Sequence, residues 1–313
     1  MISEALLQLL NSRNTPDRIR GTQRLARMEG PDVQPLLLEM LRDKNNYIAA
    51  LAAEALGKCA DLEAAAVMIE HFERLSANGP KLDPGCHIRA HLAFAFGRLE
   101  YLHADGILRI GIRTVQIESV GGVPFDTGGH LRANCALAMA QIRAPGALRD
   151  IALLLFDDGS GIFSSASHRD IVGVEPRKAA ARALGMLATV EARVPLTLRL
   201  YYPHGESADV LQQCMQSLVD LEDPDALELL HRFVETDNPE LAVFAGLMLA
   251  RARADGAEQT LRGLVNRYSG DAMRAAILAL ISLRTDQAEV HLRELANDDR
   301  KAVRDAIKEL VTG

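Results

Sequence analysis

Tryptophan is absent from the 313 residues, and phenylalanine and tyrosine together make up only 4% of them. A single wide core of this size draws on more aromatic volume, and single-strand nucleic-acid recognition needs stacking platforms that such a chain cannot supply in number. The four cysteines, Cys59, Cys86, Cys135 and Cys214, contain no CxxC pair. That spacing excludes the familiar zinc and redox motifs, and reduced thiols are expected rather than disulfides. No apolar run approaches the ~20 residues of a membrane-spanning helix. Met1-Ile-Ser-Glu opens without a basic segment, an apolar segment or a cleavage site, so no secretory signal is expected and the cytoplasm is the expected compartment. A basic surplus is missing too: 35 Lys and Arg stand against 42 Asp and Glu, a net charge of −7. This balance argues against a general nucleic-acid binder or a binder of anionic membranes. Arg251, Arg253, Arg262, Arg267 and Arg274 are interleaved with Asp255, Glu258 and Asp271, the pattern of a solvated mixed-charge face.

What the chain has instead is repetition. His87 to Leu99, His130 to Ile142 and Glu175 to Leu187 superpose without a gap, and related segments run over Tyr47 to Cys59, Glu240 to Ala252, Asp271 to Leu283 and Lys301 to Leu310. Each follows another apolar stretch of helical period. The unit is therefore a helix A followed by a helix B, with the repeated segment as B. Thr15-Pro16, Asp223-Pro224 and Asn238-Pro239 each join a capping side chain to a proline suited to a helix's first turn. Pro35 and Pro195 fall inside apolar A periods and are expected to bend those helices. Alanines crowd the B helices, as at Ala179 to Ala181 and Ala275-Ala276. Small residues let neighbouring helices approach closely and favour a stack over a separate core for each unit.

The B segment resembles the HEAT repeat, in particular the short bacterial HEAT-like form first associated with phycobilisome lyases. The resemblance is carried by Arg177 with Ala180, Ala181, Ala183, Leu184 and Gly185, by Arg89 with Gly97, and by Arg132. It covers nearly the whole chain. It implies an all-α fold, a right-handed α-solenoid of about nine helical hairpins, read here as one domain over residues 1–313. As a signal of function it is weak, because such solenoids host unrelated roles.

Three A-to-B connections exceed the few residues that a helix–helix turn needs: Ser76 to Cys86, Val115 to Gly129 and Asp157 to Val174. Loops at one point of consecutive repeats emerge on one edge, so a composite surface is expected, joined by the shorter turn Tyr202 to Ser207. In the second insert, apolar and polar residues alternate on either side of Gly121-Gly122, the pattern of a β-hairpin. The third carries Ile162, Phe163, Ile171 and Val172 in a Gly- and Ser-rich context.

Several chemistries can be weighed on these loops. His87 and His91 are four apart on a B helix, near Asp83, Cys86 and His130, a spacing that allows two imidazole ligands but not a full metal set. The solvated or structural reading of these histidines outweighs a metal site. Ser164, Ser165, Ser167, His168 and Asp170 contain the residue types of a hydrolase, yet triads are assembled from separated positions. Gly128-Gly129 before a B helix resembles an anion cradle without its lysine. Arg89, Arg132 and Arg177 share one repeat position, and a buried ladder to acids such as Asp83, Asp126 and Asp170 competes with a row of partner-binding guanidiniums.

These readings converge on a noncatalytic scaffold that binds a protein or peptide through the insert-bearing edge and the concave face of the central repeats. No cofactor and no catalytic residue is assigned. The contact candidates are Arg89, Phe125, Asp126, His130, Arg132, Phe163, His168, Arg169, Arg177 and His204. The alternative is a HEAT-fold enzyme or cofactor-handling protein, bilin-lyase-like or metal-dependent. A DNA glycosylase is disfavoured by the missing Trp and basic balance, and the His-Glu pairs of deoxyhypusine hydroxylase are not found.

Overall fold

Helix starts are set by short polar side chains. In the computed structural model, which describes residues 2–157 and 173–312, Ser3, Asn45, Asp61, Thr189, Ser207, Asn238 and Thr285 each accept a hydrogen bond from a backbone N–H of the helix that follows. Each such cap satisfies a donor that has no intrahelical partner. The chain forms two compact units, residues 1–188 and 189–313.

In the first unit the A and B helices pair as α1 (Glu4–Leu10) with α2 (Thr15–Leu25), and α3 (Val33–Met40) with α4 (Asn46–Leu56). The third pair begins with α5 (Leu62–Ser76), passes the short α6 (Gly79–Leu82) and closes on α7 (His87–Arg98). Next come α8 (Asp105–Ile112), a hairpin of β1 (Ile117–Val120) and β2 (Val123–Asp126), and α9 (Gly129–Gln141). Last are α10 (Ala147–Leu155) and α11 (Glu175–Leu187). The second unit holds α12 (Val190–Tyr201) with α13 (Ala208–Asp220), α14 (Ala226–Val234) with α15 (Pro239–Arg251), α16 (Ala257–Arg267) with α17 (Gly270–Leu283), and α18 (Asp286–Ala296) with α19 (Lys301–Thr312). Among the described residues this makes nine hairpins, five and four, in an all-α solenoid fold.

Within each unit B helices stack on B helices: α2, α4, α7, α9 and α11 in the first, and α13, α15, α17 and α19 in the second. The stack buries B helices on most of their circumference. In α9, Leu131, Ala133, Cys135, Ala136, Ala138, Met139 and Ala140 are all buried, whereas an A helix such as α14 buries one stripe, Ala226, Leu229, Leu230, Phe233 and Val234. Each large side chain buried this way stabilises by roughly 1.5–3 kcal/mol. Close approach is needed where Gly57 meets Ala95 of the next B helix and Gly97 meets Ala138. A Cβ on Gly57 would stand 2.9 Å from the Ala95 Cα, and one on Gly97 would stand 3.0 Å from the Ala138 Cα.

Two proline expectations are corrected. Pro35 sits in the first turn of α3, where no intrahelical bond is lost, so it does not interrupt that helix. At Thr15-Pro16 and Asp223-Pro224 the caps lie elsewhere: Asn14 precedes α2, and Asp225 precedes α14. Asn238-Pro239 is as expected, and Pro195 does stand inside α12. Among the described residues no helix is long and apolar enough to cross a membrane.

The B helices share an ending. Glu100, Arg143, Ala188, Glu222, Arg253 and Arg284 all have positive φ, between 48° and 55°, and all occupy the same repeat position. After four of them a backbone N–H returns past the preceding turn to a carbonyl within the helix, from Tyr101 to Phe96, Ala144 to Met139, Asp223 to Leu218, and Ala254 to Leu249. This closure satisfies a terminal carbonyl and usually employs glycine. A side chain in the left-handed region costs about 1–2 kcal/mol. Arg143→Gly and Arg253→Gly, both at exposed positions, should therefore each raise the unfolding free energy by about 0.5–1 kcal/mol, after the entropy that glycine adds to the unfolded chain. Urea titration of the single variants checks this; a loss of stability at both sites contradicts it.

Candidate functional site

Each long insert ends in a structure that its own B helix holds down. Gly85 and Cys86 both take left-handed backbone, with φ of 76° and 56°, and turn the chain sharply into α7. Asp83, fully buried, accepts from the Ile88 and Arg89 backbone N–H groups at 2.9 and 3.1 Å and from Arg89 Nε at 3.0 Å. It thereby caps α7 from outside the helix. One repeat later, Asp126 Oδ1 accepts from the N–H groups of Gln116 and Gly128 at 3.1 and 3.0 Å. Its Oδ2 lies 2.6 Å from Arg132 Nη2 in an ion pair with both side chains at 0% exposure. Arg132 Nη1 donates to the Thr114 carbonyl at 2.8 Å. In the third case Arg177 Nη1 donates to the carbonyls of Asp157 and Gly173 at 3.2 and 3.4 Å. The shared arginine position thus serves the loop beneath it.

The second insert is a β-hairpin. Ile117 pairs with Asp126, Glu118 with Phe125, Ser119 with Pro124 and Val120 with Val123. Gly121 and Gly122 supply positive φ at both turn positions, 60° and 87°, as a two-residue turn between twisted strands requires. Its base is stitched to the first insert. The Gln116 side-chain carbonyl accepts from Arg89 Nη2 at 2.6 Å, while its NH2 donates to the Asp83 carbonyl and to Glu118 at 3.2 and 3.1 Å. Glu118 also accepts from the Gly85 N–H at 2.7 Å and from the Thr127 hydroxyl. Burial pushes the Glu118 carboxyl up, but the Thr127, Gln116 and Gly85 bonds, with His87 nearby, outweigh it and hold the group below its ordinary 4.5. Directly paired residues share a sheet face, so Phe125 and Val123 continue the face that begins with Gln116 and Glu118. They are 46% and 62% exposed.

Nucleophilic chemistry is not favoured at this point. Burial pushes the Cys86 thiol up to about 12, so it stays protonated at neutral pH, and its Sγ accepts from Arg89 Nη2 at 3.2 Å. Cys135 and Cys214 are likewise buried and raised, whereas Cys59 is exposed. His91 Nδ1 is bonded to the His87 carbonyl at 2.7 Å and its Nε2 lies 3.7 Å from Glu54. Among the described residues no three His, Cys, Asp or Glu side chains gather as a metal site.

The expected contact residues therefore separate by position. Arg89, Asp126, Arg132 and Arg177 are buried. Phe125, His130 and His204 are exposed, His204 in the second unit. Phe163, His168 and Arg169, with Ser164, Ser165, Ser167 and Asp170, lie outside the described residues. Sequence reasoning overlooked Gln116, Glu118 and Thr127. Their signal was the two-residue alternation itself, which puts 116 and 118 on one strand face.

Stacked helical hairpins with loops pinned at one point of the repeat define a helical-repeat protein. Residues 3–76 match the family described as HEAT repeats. No curated protein matches the sequence. Among solved structures, the complex of CpcE and CpcF of phycocyanin lyase from Nostoc sp. PCC7120 is similar at 17% identity and a TM-score of 0.47, over 91% of this chain and 97% of that one. Human deoxyhypusine hydroxylase in complex with glycerol matches at 16% identity and 0.34, over 98% and 93%. A homology model of the full-length AP-3 complex in an intermediate open conformation reaches 0.55 at 14% identity, over 93% of this chain. This chain spans about half of that AP-3 chain, 52%. At these identities the likeness is one of fold.

Removing one member of a buried ion pair leaves the other uncompensated, at a cost of about 3–5 kcal/mol. Arg132→Ala should lose that much unfolding free energy in urea titration, and a loss below ~1 kcal/mol contradicts the buried-pair account. A pH effect is expected at His71 on α5. Burial, then Arg74 and Arg42, against a smaller opposing influence of Asp83, lowers its pKa from 6.5 to about 4. The unfolded chain binds this proton more readily than the folded one. The stability contributed by neutral His71 is thus complete above pH 6.5 and lost as the pH falls toward 4, by an amount on the order of 3 kcal/mol. Unfolding curves from pH 7.5 to 4 should show that fall, and His71→Gln should remove it.

Proposed function

We propose that this protein is a noncatalytic scaffold that binds a protein or peptide partner through the insert-bearing edge of its central repeats. The observation that carries the reading is the hairpin: its base is locked by Asp126, Arg132, Gln116 and Glu118, while Phe125 and Val123 at its outer end face solvent. Exposed aromatic and aliphatic groups on a rigid loop lose little conformational entropy on binding, so more of their burial appears as affinity. Aromatic anchors of this sort dominate many interfaces. Phe125 and Val123 are the proposed contacts, with the exposed His130 at the start of α9, whereas Arg89, Asp126, Arg132 and Arg177 act by holding the loops. Phe163, His168 and Arg169 stay among the proposed contacts on their place in the sequence alone.

The test compares capture from a native lysate of the source cells by the parent protein and by a Val123→Ser/Phe125→Ser double variant, with bound proteins quantified by mass spectrometry. At least one protein held by the parent should fall tenfold or more with the variant, the loss expected when about 1.4 kcal/mol or more of anchor energy is removed. The unfolding midpoint should stay unchanged. Equal capture by the two proteins would overturn the proposal.

A further inference from the structure

The second unit carries an apolar trough that the stack does not require. Asp209, Glu240 and Asp271 open α13, α15 and α17 at intervals of thirty-one residues, in register with His130 of α9 and Glu175 of α11. Three, four and seven residues further on, α9 has Ala133, Asn134 and Leu137, α11 has Lys178, Ala179 and Arg182, and α13 has Gln212, Gln213 and Gln216. Leu137 is the one large apolar group among those nine. At the same positions α15 has three together, Val243, Phe244 and Leu247. Across from these three, α17 offers the small Ala272, Ala275 and Ala279 beyond Asp271 at its start. The result is an open trough of 440 Å³ along the B-helix face, within the ~300–1,000 Å³ range of binding pockets. Its walls are almost wholly apolar. Leu278, 48% exposed, extends the apolar surface of α17.

Charge along the trough has one sign. Glu240 and Asp271 stand at its mouth, and Glu240 is bonded only to the neutral Gln212, at 3.0 Å. The nearby cations are neutralised: Arg274 is held by Glu309 at 2.8 and 3.0 Å, and Arg251 by Asp220 at 2.7 Å. The positive ends of the α15 and α17 dipoles offset part of this field, so apolar anchors must supply most of any affinity. On α15 the lining runs from Pro239 to Leu247, about 12 Å at the rise of a helix, close to the distance between residues i and i+7 of a helix laid along it.

We propose that this trough docks a short amphipathic helix of a partner protein, its apolar side chains spaced i, i+3 or i+4, and i+7, with lysine or arginine at the end that meets Glu240 and Asp271. The arrangement is the helix-in-groove mode of recognition. It is independent of the hairpin edge, which lies in the first unit.

A displayed library of random peptides of about fourteen residues, selected against the full-length chain, tests it. The enriched peptides should carry that apolar spacing and a positive net charge. Ala275→Gln replaces an exposed alanine with a longer neutral side chain that helices tolerate, and it should weaken the best peptide tenfold or more with the circular dichroism unchanged. Glu240→Gln/Asp271→Asn should weaken it less and flatten its dependence on salt. Val123→Ser/Phe125→Ser should leave it unaffected. Acidic winners, winners without the spacing, no enrichment over the Ala275→Gln protein, or a loss caused by the hairpin variant would each overturn the proposal.

Discussion

A guanidinium taken out of water costs several kcal/mol unless an opposite charge is set against it, and this cost organises the first unit. Arg89 and Arg132, at 2% and 0% exposure, are tolerated because the loop before each B helix delivers a buried aspartate to it, Asp83 to Arg89 and Asp126 to Arg132. The dependence runs both ways. Asp83 and Asp126 are acceptable in the interior only with arginine opposite and backbone N–H groups around them. Neither loop end can move without stranding a charge, so residues that would otherwise wander are fixed to the repeat frame. Gln116 extends the constraint sideways, because it accepts from Arg89 while sitting at the foot of the next repeat's hairpin. The rigidity of the hairpin is inherited from a pair of buried charges and is not a property of two four-residue strands, which alone would be marginal in water.

How much of this was legible depended on whether the signal was local and repeated. The B helices His87–Arg98, Gly129–Gln141 and Glu175–Leu187 lie within one residue of the segments that superpose in sequence, since the same alanine and leucine spacing recurs in each. The hairpin was legible from Gly121-Gly122 and the alternation around it. Prolines misled where a single dipeptide was read alone: Thr15 lies inside α2 and Asn14 takes the cap position. The left-handed endings left no trace, because Glu100, Arg143, Glu222 and Arg253 share a conformation without sharing a chemistry. The closing hydrogen bonds impose the backbone there, and the side chain merely tolerates it. Gln116 and Glu118 were missed for a different reason: their partners, Asp83, Gly85 and Arg89, are about thirty residues away, and periodicity says nothing about such pairings.

The repeat also explains why two surfaces of different character can arise in one chain. In a stack each unit is stabilised by its neighbours, through contacts such as Gly57 on Ala95 and Gly97 on Ala138. Positions outside those contacts, the A-to-B connection and the free face of the B helix, are released from the demands of the fold. The connection has lengthened in the first unit, where Asp83 and Asp126 anchor what was added. The free face has changed composition in the second, where α15 replaces the glutamines of α13 with Val243, Phe244 and Leu247.

Departures from the repeat are therefore more informative than the repeat itself. A residue that recurs from one repeat to the next, such as the arginine shared by α7, α9 and α11 or the alanines of the B helices, is accounted for by packing and burial. One that breaks the pattern needs a separate cause. Phe125, on a hairpin found in one repeat among the described residues, and Phe244, on a helix face that is polar in α13, both break it. Each leaves apolar surface in water at a place where the stack gains nothing from it. Aromatic groups left partly open to water in this way, Phe125 at 46% exposure and Phe244 half-buried, are compatible with the fold but not produced by it, and burial against a second molecule is the physical outcome that would account for them.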